Sequence, residues 1–153
     1  MVTDRMPACS RIAAAEAFFT AWSLLLLPVR TPEMDAELLR TATLCAERLA
    51  LLDEPAERVR GEWLMARALT ALGRHVPALV HAHRAERLAD ALGLRGLERF
   101  RTRAAVACAC DHARRGDEAR HWLHLAATTL ADMPEDQAAQ AARDLDRLFH
   151  HHG

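Results

Sequence analysis

Nine histidines and four cysteines are the residues of this sequence best suited to hold a metal ion. Cys108 and His112 are four positions apart, which places both on one face of a helix. His121 and His124 follow a turn at Gly116, so a helical hairpin could gather all four side chains around a zinc ion.

Helical angles argue against this zinc site. At 100° per residue, the packing residues of the second helix of the hairpin share one face: Ala119, Trp122, Leu123, Ala126 and Leu130. His121 and His124 lie roughly 140–200° away from that face, whereas Cys108 falls on the inward face of its own helix. The sequence therefore predicts a structural cysteine and exposed histidines, with no bound metal and no cofactor.

Motifs of known catalytic chemistry are missing from the sequence. It contains no glycine-rich phosphate loop, no HExxH and no nucleophile elbow. We therefore expect a protein that is not an enzyme. An enzyme using histidine and a carboxylate in a helical pocket remains a minor alternative.

The charge balance bears on the class of partner. The net charge is −1, and all 20 basic residues are arginine, with no lysine, asparagine or tyrosine in the chain. This composition, rich in alanine, arginine and leucine, is typical of a high-GC genome. A near-neutral chain lacks the basic surface of a general nucleic-acid binder.

No CxxC pair occurs among the four cysteines, so we expect reduced cysteines in a cytoplasmic protein.

Proline and glycine divide the chain at intervals typical of helical hairpins. The breaks predict one all-α domain over residues 1–153 with helices near 10–27, 33–52, 56–72, 76–92, 96–114, 117–132 and 135–150. The segment AERLA at residues 46–50 recurs at residues 85–89, and ATTLA at residues 127–131 is a weaker third copy. A two-helix unit that recurs after about 40 residues is typical of a helical solenoid.

Small residues show the pattern of these units best in the middle of the chain: Ala66, Leu69, Gly73, Ala78, Ala82, Ala85 and Leu88. The third unit repeats it with Ala109, Gly116, Ala119 and Ala126. This pattern resembles the tetratricopeptide repeat, in the longer form found in bacterial transcription regulators. The resemblance covers nearly the whole chain.

The resemblance implies a right-handed solenoid of three antiparallel hairpins at residues 10–53, 56–93 and 96–133, followed by a capping helix at 135–150. It also implies a regulatory or adaptor protein that binds a protein or peptide on the concave face. A small-molecule or metal sensor with a pocket between helices is the alternative. The carboxylate clamp of tetratricopeptide co-chaperones is excluded, because it requires lysine and asparagine.

In this family the first helix of each hairpin lines the concave face. The matching positions on the middle hairpin are Arg60, Trp63, Arg67 and Thr70, and those on the third are Arg99, Arg103 and Arg114. Arginine suits a carboxylate or a phosphate, so the predicted ligand is an acidic or phosphorylated peptide. The alternative is that these are ordinary solvated arginines and that Trp63 belongs to the core.

The first helix carries apolar residues around most of its circumference. Phe18, Phe19, Trp22 and Leu26 are predicted to contact another protein chain, including a second copy of this one. Alternatively, the loop at residues 28–32 covers them. The apolar stretch at residues 17–27 is too short to span a bilayer and lacks a small-residue cleavage site, so we expect neither a signal peptide nor a membrane protein.

Overall fold

The computed structural model describes residues 5–149, which form seven α-helices and no strand. The helices are α1 (Arg5–Leu25), α2 (Pro32–Ala50), α3 (Pro55–Ala71), α4 (His75–Ala91), α5 (Gly96–His112), α6 (Gly116–Leu130) and α7 (Glu135–Phe149). The predicted boundaries agree within a few residues, except that α1 begins at Arg5 rather than near residue 10. Residue 150, the predicted end of the last helix, lies outside the described residues.

Local sequence explains where the helices begin and end. The hydroxyl of Thr31 accepts a hydrogen bond from the backbone N–H of Met34 at 3.2 Å and so caps α2. Gly73 and Gly93 follow α3 and α4 with φ of 74° and 66°, a conformation that suits glycine. After α5 the same left-handed position is held by Arg114, with φ of 60°. The turn glycine predicted at position 116 instead begins α6.

Helix order follows the chain. Each helix from α1 to α5 packs against the next one along the chain, and α3 also contacts α1 and α5. The odd-numbered helices α1, α3, α5 and α7 therefore share one face, which we call the inner face. The last helix, α7, packs principally on α5 through the buried Ala141 and Leu148.

Small side chains let the helices approach closely. A Cβ atom added at Gly61 of α3 would lie 3.2 Å from Cα of Ala46 in α2. Ala42, Ala82 and Ala85 are completely buried. The central helix α5 is buried at every position from residue 104 to residue 110, so the other helices are arranged around it.

None of the helices within residues 5–149 combines the length and the apolar character that a transmembrane span requires.

Candidate ligand groove

A groove runs along the inner face between α1 and α7, with α3 and α5 beneath it. It consists of two adjoining cavities of about 370 and 490 Å³ that share Trp22, Asp144 and Arg147. The first half lies beside Arg60 and Trp63, and the second half lies beside Arg67 and Thr70. We call the two halves together the inner groove.

Three aromatic rings from α1 and α3 line the inner groove. The ring centroids of Phe18, Trp22 and Trp63 are 5.7–6.4 Å apart, and their planes differ by 13–32°. Three nearly equal distances describe a triangle rather than a column of stacked rings. Trp63 is also 8% exposed and belongs to the hydrophobic core, so the same ring supports the fold and faces the groove.

The guanidinium of Arg67 lies over this aromatic surface. Its Cζ atom is 5.8 Å from the Trp22 centroid and 5.5 Å from the Trp63 centroid, the geometry of a cation–π contact. Within residues 5–149 no carboxylate or carbonyl group accepts a hydrogen bond from it. Burial lowers the pKa of Arg67 from its ordinary value, but an arginine remains charged in proteins. The groove thus holds a cation whose hydrogen-bond donors face no protein acceptor among the described residues.

The other charged groups of the groove are paired in several cases. Asp144 accepts a hydrogen bond from Gln140 at 3.0 Å, and its second oxygen lies 3.8 Å from Nε of Arg101. Arg60 lies 3.6 Å from Glu57 on the same helix. Asp144 on α7 and Arg101 on α5 therefore connect two helices across the first half of the groove.

Arg30, in the loop after α1, also borders the second half of the groove. Its Nε donates to Oδ1 of Asp35 at 2.8 Å, and its Nη2 donates to the carbonyl oxygen of Ala71 at 3.3 Å. Arg30 is therefore used to fasten the loop to α2 and α3.

The structure places all four α3 residues of the predicted site in the inner groove. Arg60 and Trp63 line the first half, and Arg67 and Thr70 line the second. The hydroxyl of Thr70 donates to the carbonyl oxygen of Ala66 at 2.8 Å, so it is already used within the helix.

The three arginines predicted from the third hairpin lie elsewhere. Arg99 and Arg103 surround the buried carboxylate of Glu86 on α4, and Nη1 of Arg103 donates to the carbonyl oxygen of Leu125 on α6 at 2.9 Å. Arg114 occupies the turn after α5. Arg99 and Arg103 therefore belong to the side of α5 that packs on α4 and α6, and none of the three arginines lines the inner groove, which corrects the predicted lining.

The α5 residues that do line the groove are Glu98, Arg101, Thr102, Cys108 and His112. Their spacing of three, four or seven residues could have indicated this face. So could the polar residues Asp144 and Arg147 of α7, which lie off the apolar stripe of that helix.

The apolar residues of α1 divide between two surroundings. Phe18 and Trp22 form the aromatic surface together with Trp63, and Leu26, just after the end of α1, borders the second half of the groove. Phe19 is 72% exposed and Ile12 is 61% exposed, so the loop at residues 28–32 does not cover them. Contact of α1 with another chain stays a prediction.

The four candidate zinc ligands lie in different environments. Sγ of Cys108 lies 3.7 Å from Nδ1 of His112, which also lies 3.0 Å from the carbonyl oxygen of Cys108. Burial raises the pKa of Cys108 to about 11, which keeps its thiol protonated. His121 and His124 are exposed on α6. Across residues 5–149, no three histidine, cysteine or acidic side chains come together in a way that could hold a metal ion.

Comparison of the chain with protein-family models, curated proteins and solved structures finds no match.

Proposed function

We propose that this protein is a non-catalytic interaction module that binds an acidic segment of a partner protein in the inner groove. The observation that supports this most directly is the position of Arg67 over Trp22 and Trp63. A guanidinium held on aromatic rings keeps its planar set of donors in place for a carboxylate or phosphate. The rings beside it offer apolar area to the rest of the ligand.

The shape of the groove favours a peptide. Arg60 and Thr70 are ten residues apart on α3, a distance of about 15 Å along the helix. An extended peptide covers about 3.3 Å per residue, so four or five residues would lie along this distance. The resemblance to tetratricopeptide repeats, which bind partners on the face formed by the first helices of their hairpins, supports the same surface. A regulatory or adaptor role is the corresponding proposal for the whole chain.

A small-molecule sensor is the second candidate. The first half of the groove has a volume of about 370 Å³ and is bordered by Phe18, Trp22 and Trp63, and small-molecule sites commonly have volumes of about 300–1,000 Å³. A sensor of this kind would bind a compact aromatic anion in the first half of the groove. Extending a peptide into the second half would then add nothing to its affinity.

A peptide array tests the peptide proposal. The array carries random seven-residue peptides rich in aspartate, glutamate and leucine, each beside a copy with asparagine and glutamine in place of the acids. We expect the purified protein to bind the acidic peptides and not to bind their neutral copies. Arg67→Met, which keeps an apolar side chain on the rings, should reduce binding roughly tenfold, as expected for loss of a charged hydrogen bond.

Arg58→Met provides the matched control, because Arg58 is an exposed arginine on the same helix and lines neither half of the groove. Its binding should equal that of the wild-type protein. Equal binding of acidic and neutral peptides, or equal loss in the two variants, would reject the proposal.

A further inference from the structure

The second half of the inner groove has an excess of positive charge. Arg30, Arg67 and Arg147 line it together with a single carboxylate, that of Asp144. Arg30 is paired with Asp35. Asp144 accepts a hydrogen bond from Gln140 and is ion-paired with Arg101, and its charge also acts on Arg67 without a hydrogen bond between them.

Two guanidiniums therefore remain, one from α3 and one from α7. For both Arg67 and Arg147, the described part of the chain offers no hydrogen-bonding acceptor and no ion-pair partner within 4 Å. Arg67 is partly buried and Arg147 is exposed, and an anion that contacts both would be attracted by two positive charges. The pair is therefore complementary to a ligand of charge −2.

We propose that the second half of the inner groove binds the phosphate dianion of a phosphorylated side chain, held between Arg67 and Arg147. This inference rests on the proposed function and narrows the acidic segment to one that carries a phosphate monoester. A carboxylate has one charge and would neutralise one guanidinium. A phosphate monoester carries close to two charges at neutral pH and three strong acceptor oxygens, which suit two arginines.

The ring of Trp22 adds a reason to expect an organic phosphate. It borders both halves of the groove, and Arg67 lies over it. The stem of a phosphorylated side chain would contact this ring while the phosphate reaches the arginines. Inorganic phosphate would gain the charge contacts alone and should bind more weakly.

The pH dependence of binding has a definite sign. The second ionisation of a phosphate monoester has a pKa near 6, so the ligand loses one negative charge between pH 7.5 and pH 5. The charged and titratable groups that line this half are Arg30, Arg67, Cys108, His112, Asp144 and Arg147. A probe whose own charge is constant separates a change in the charge of the ligand from any change in the charge of these groups.

Calorimetric titration of the full chain with four probes tests the inference. Phenyl phosphate presents a ring and a dianion, phenyl sulfate has the same shape with one charge, inorganic phosphate has no ring, and adenosine monophosphate carries a base. At pH 7.5 we expect phenyl phosphate to bind about tenfold more tightly than phenyl sulfate, the loss of one charged contact. At pH 5 the two affinities should converge.

Variants identify the residues. Arg67→Met and Arg147→Met should each remove most of the preference for phenyl phosphate over phenyl sulfate, whereas Arg58→Met should leave it intact. Circular dichroism and the thermal midpoint of each variant establish that it is folded before titration. If Arg147→Met does not fold, Arg147→Lys serves instead, because it keeps the charge but loses the planar donor set and should weaken the preference.

Three outcomes would overturn the inference. Equal affinities for phenyl phosphate and phenyl sulfate at pH 7.5 would show that a second negative charge on the ligand does not contribute to binding. Tighter binding of adenosine monophosphate than of phenyl phosphate would indicate a nucleotide. A preference unchanged in both arginine variants would place the anion elsewhere. The peptide array separates the two proposals, because acidic, unphosphorylated peptides that bind through Arg67 would sustain the proposed function when this inference fails.

Discussion

Arg99 on α5 donates a hydrogen bond from Nη2 to Oε1 of Glu86 on α4 across 2.7 Å, and the side chains are 11% and 7% exposed. The second carboxylate oxygen of Glu86 accepts from the hydroxyl of Thr102 at 2.8 Å. Nε of Arg103 lies 3.9 Å from Oε1 of Glu86, and its Nη1 donates to the carbonyl oxygen of Leu125. A single buried carboxylate therefore connects α4, α5 and α6.

Removing the charge of Glu86 should strongly destabilise the fold. Glu86→Gln removes the shared buried counter-ion of Arg99 and Arg103, and Arg99 keeps only its contact with the exposed Asp90. Breaking a buried ion pair from one side costs about 3–5 kcal/mol. We expect the free energy of unfolding to fall by about 3 kcal/mol in urea titrations. Glu47 occupies the same position in the other AERLA segment but is exposed, so Glu47→Gln should change stability by less than about 0.5 kcal/mol. Similar losses in the two variants would contradict this account of the network.

Gly61 should tolerate alanine poorly despite its place in the middle of a helix. Alanine at a helix interior gains about 1 kcal/mol over glycine. The added Cβ would lie 3.2 Å from Cα of Ala46, however, and a backbone atom cannot move aside as a side chain can. Overpacking costs about 1–3 kcal/mol, so we expect a net loss of about 1 kcal/mol by thermal or urea unfolding.

Gly116→Ala is the control for this substitution. The nearest atom to its new Cβ would be Nη1 of Arg120 at 3.8 Å, an ordinary contact. Stability should be unchanged or slightly higher. A gain of stability at Gly61 would show that α2 and α3 can separate without cost.

Two adjacent phenylalanines on α1 should differ in their effect on stability. Phe18 is half-buried and contacts Trp22 and Trp63, whereas Phe19 is largely exposed. Phe18→Ala should lower the free energy of unfolding by about 2–3 kcal/mol, below the value for a fully buried phenylalanine. Phe19→Ala should lower it by less than about 0.5 kcal/mol.

Light scattering on the same samples tests the predicted contact of α1 with a second copy of the chain. A molar mass that drops from dimer to monomer in Phe19→Ala would place Phe19 in that interface.

Alkaline pH should destabilise the protein through its buried cysteines. Burial raises the pKa values of Cys45, Cys108 and Cys110 from 9.0 to about 11. The unfolded chain therefore releases these protons first, and the free energy of unfolding falls as pH rises from 9 to 11, by at most about 1.4 kcal/mol per pH unit for each thiol. The chain has no lysine and no tyrosine, so few other groups titrate in this range.

Urea unfolding under reducing conditions at pH 8, 9 and 10 measures this dependence. Cys108→Ala should make the slope shallower, and Cys9→Ala, at an exposed position, should leave it unchanged. A free energy of unfolding that stays constant from pH 8 to pH 10 would refute the role assigned to the thiols.

The helices could be predicted from the sequence because proline and glycine separate them almost everywhere. The groove face of α3 could also be predicted, since Arg60, Trp63 and Arg67 follow the helical period. On α5 the same reasoning failed. The helix is buried at every position from residue 104 to residue 110, so its apolar residues do not distinguish the groove side from the side that packs on α4 and α6. Only the spacing of its polar residues indicates the groove side.

The buried state of Glu86 was also beyond sequence reasoning. Its five-residue segment is identical to the one that contains the exposed Glu47. What differs is the neighbouring helix, because α5 supplies Arg99, Thr102 and Arg103 to Glu86. Burial of a charged residue here depends on partners that are distant in sequence.

The packing of α7 on principally one other helix has a consequence for hydrogen exchange. Among the described helices, α7 can detach from the array with the least loss of packing, so its amide protons should exchange through local opening long before those of α3 and α5. Asp144 and Arg147 leave the groove whenever α7 detaches. A ligand that contacts Arg147 binds the closed form alone and stabilises it in proportion to the logarithm of ligand concentration. Amide protection in α7 would then report occupancy of the groove without any label on the ligand.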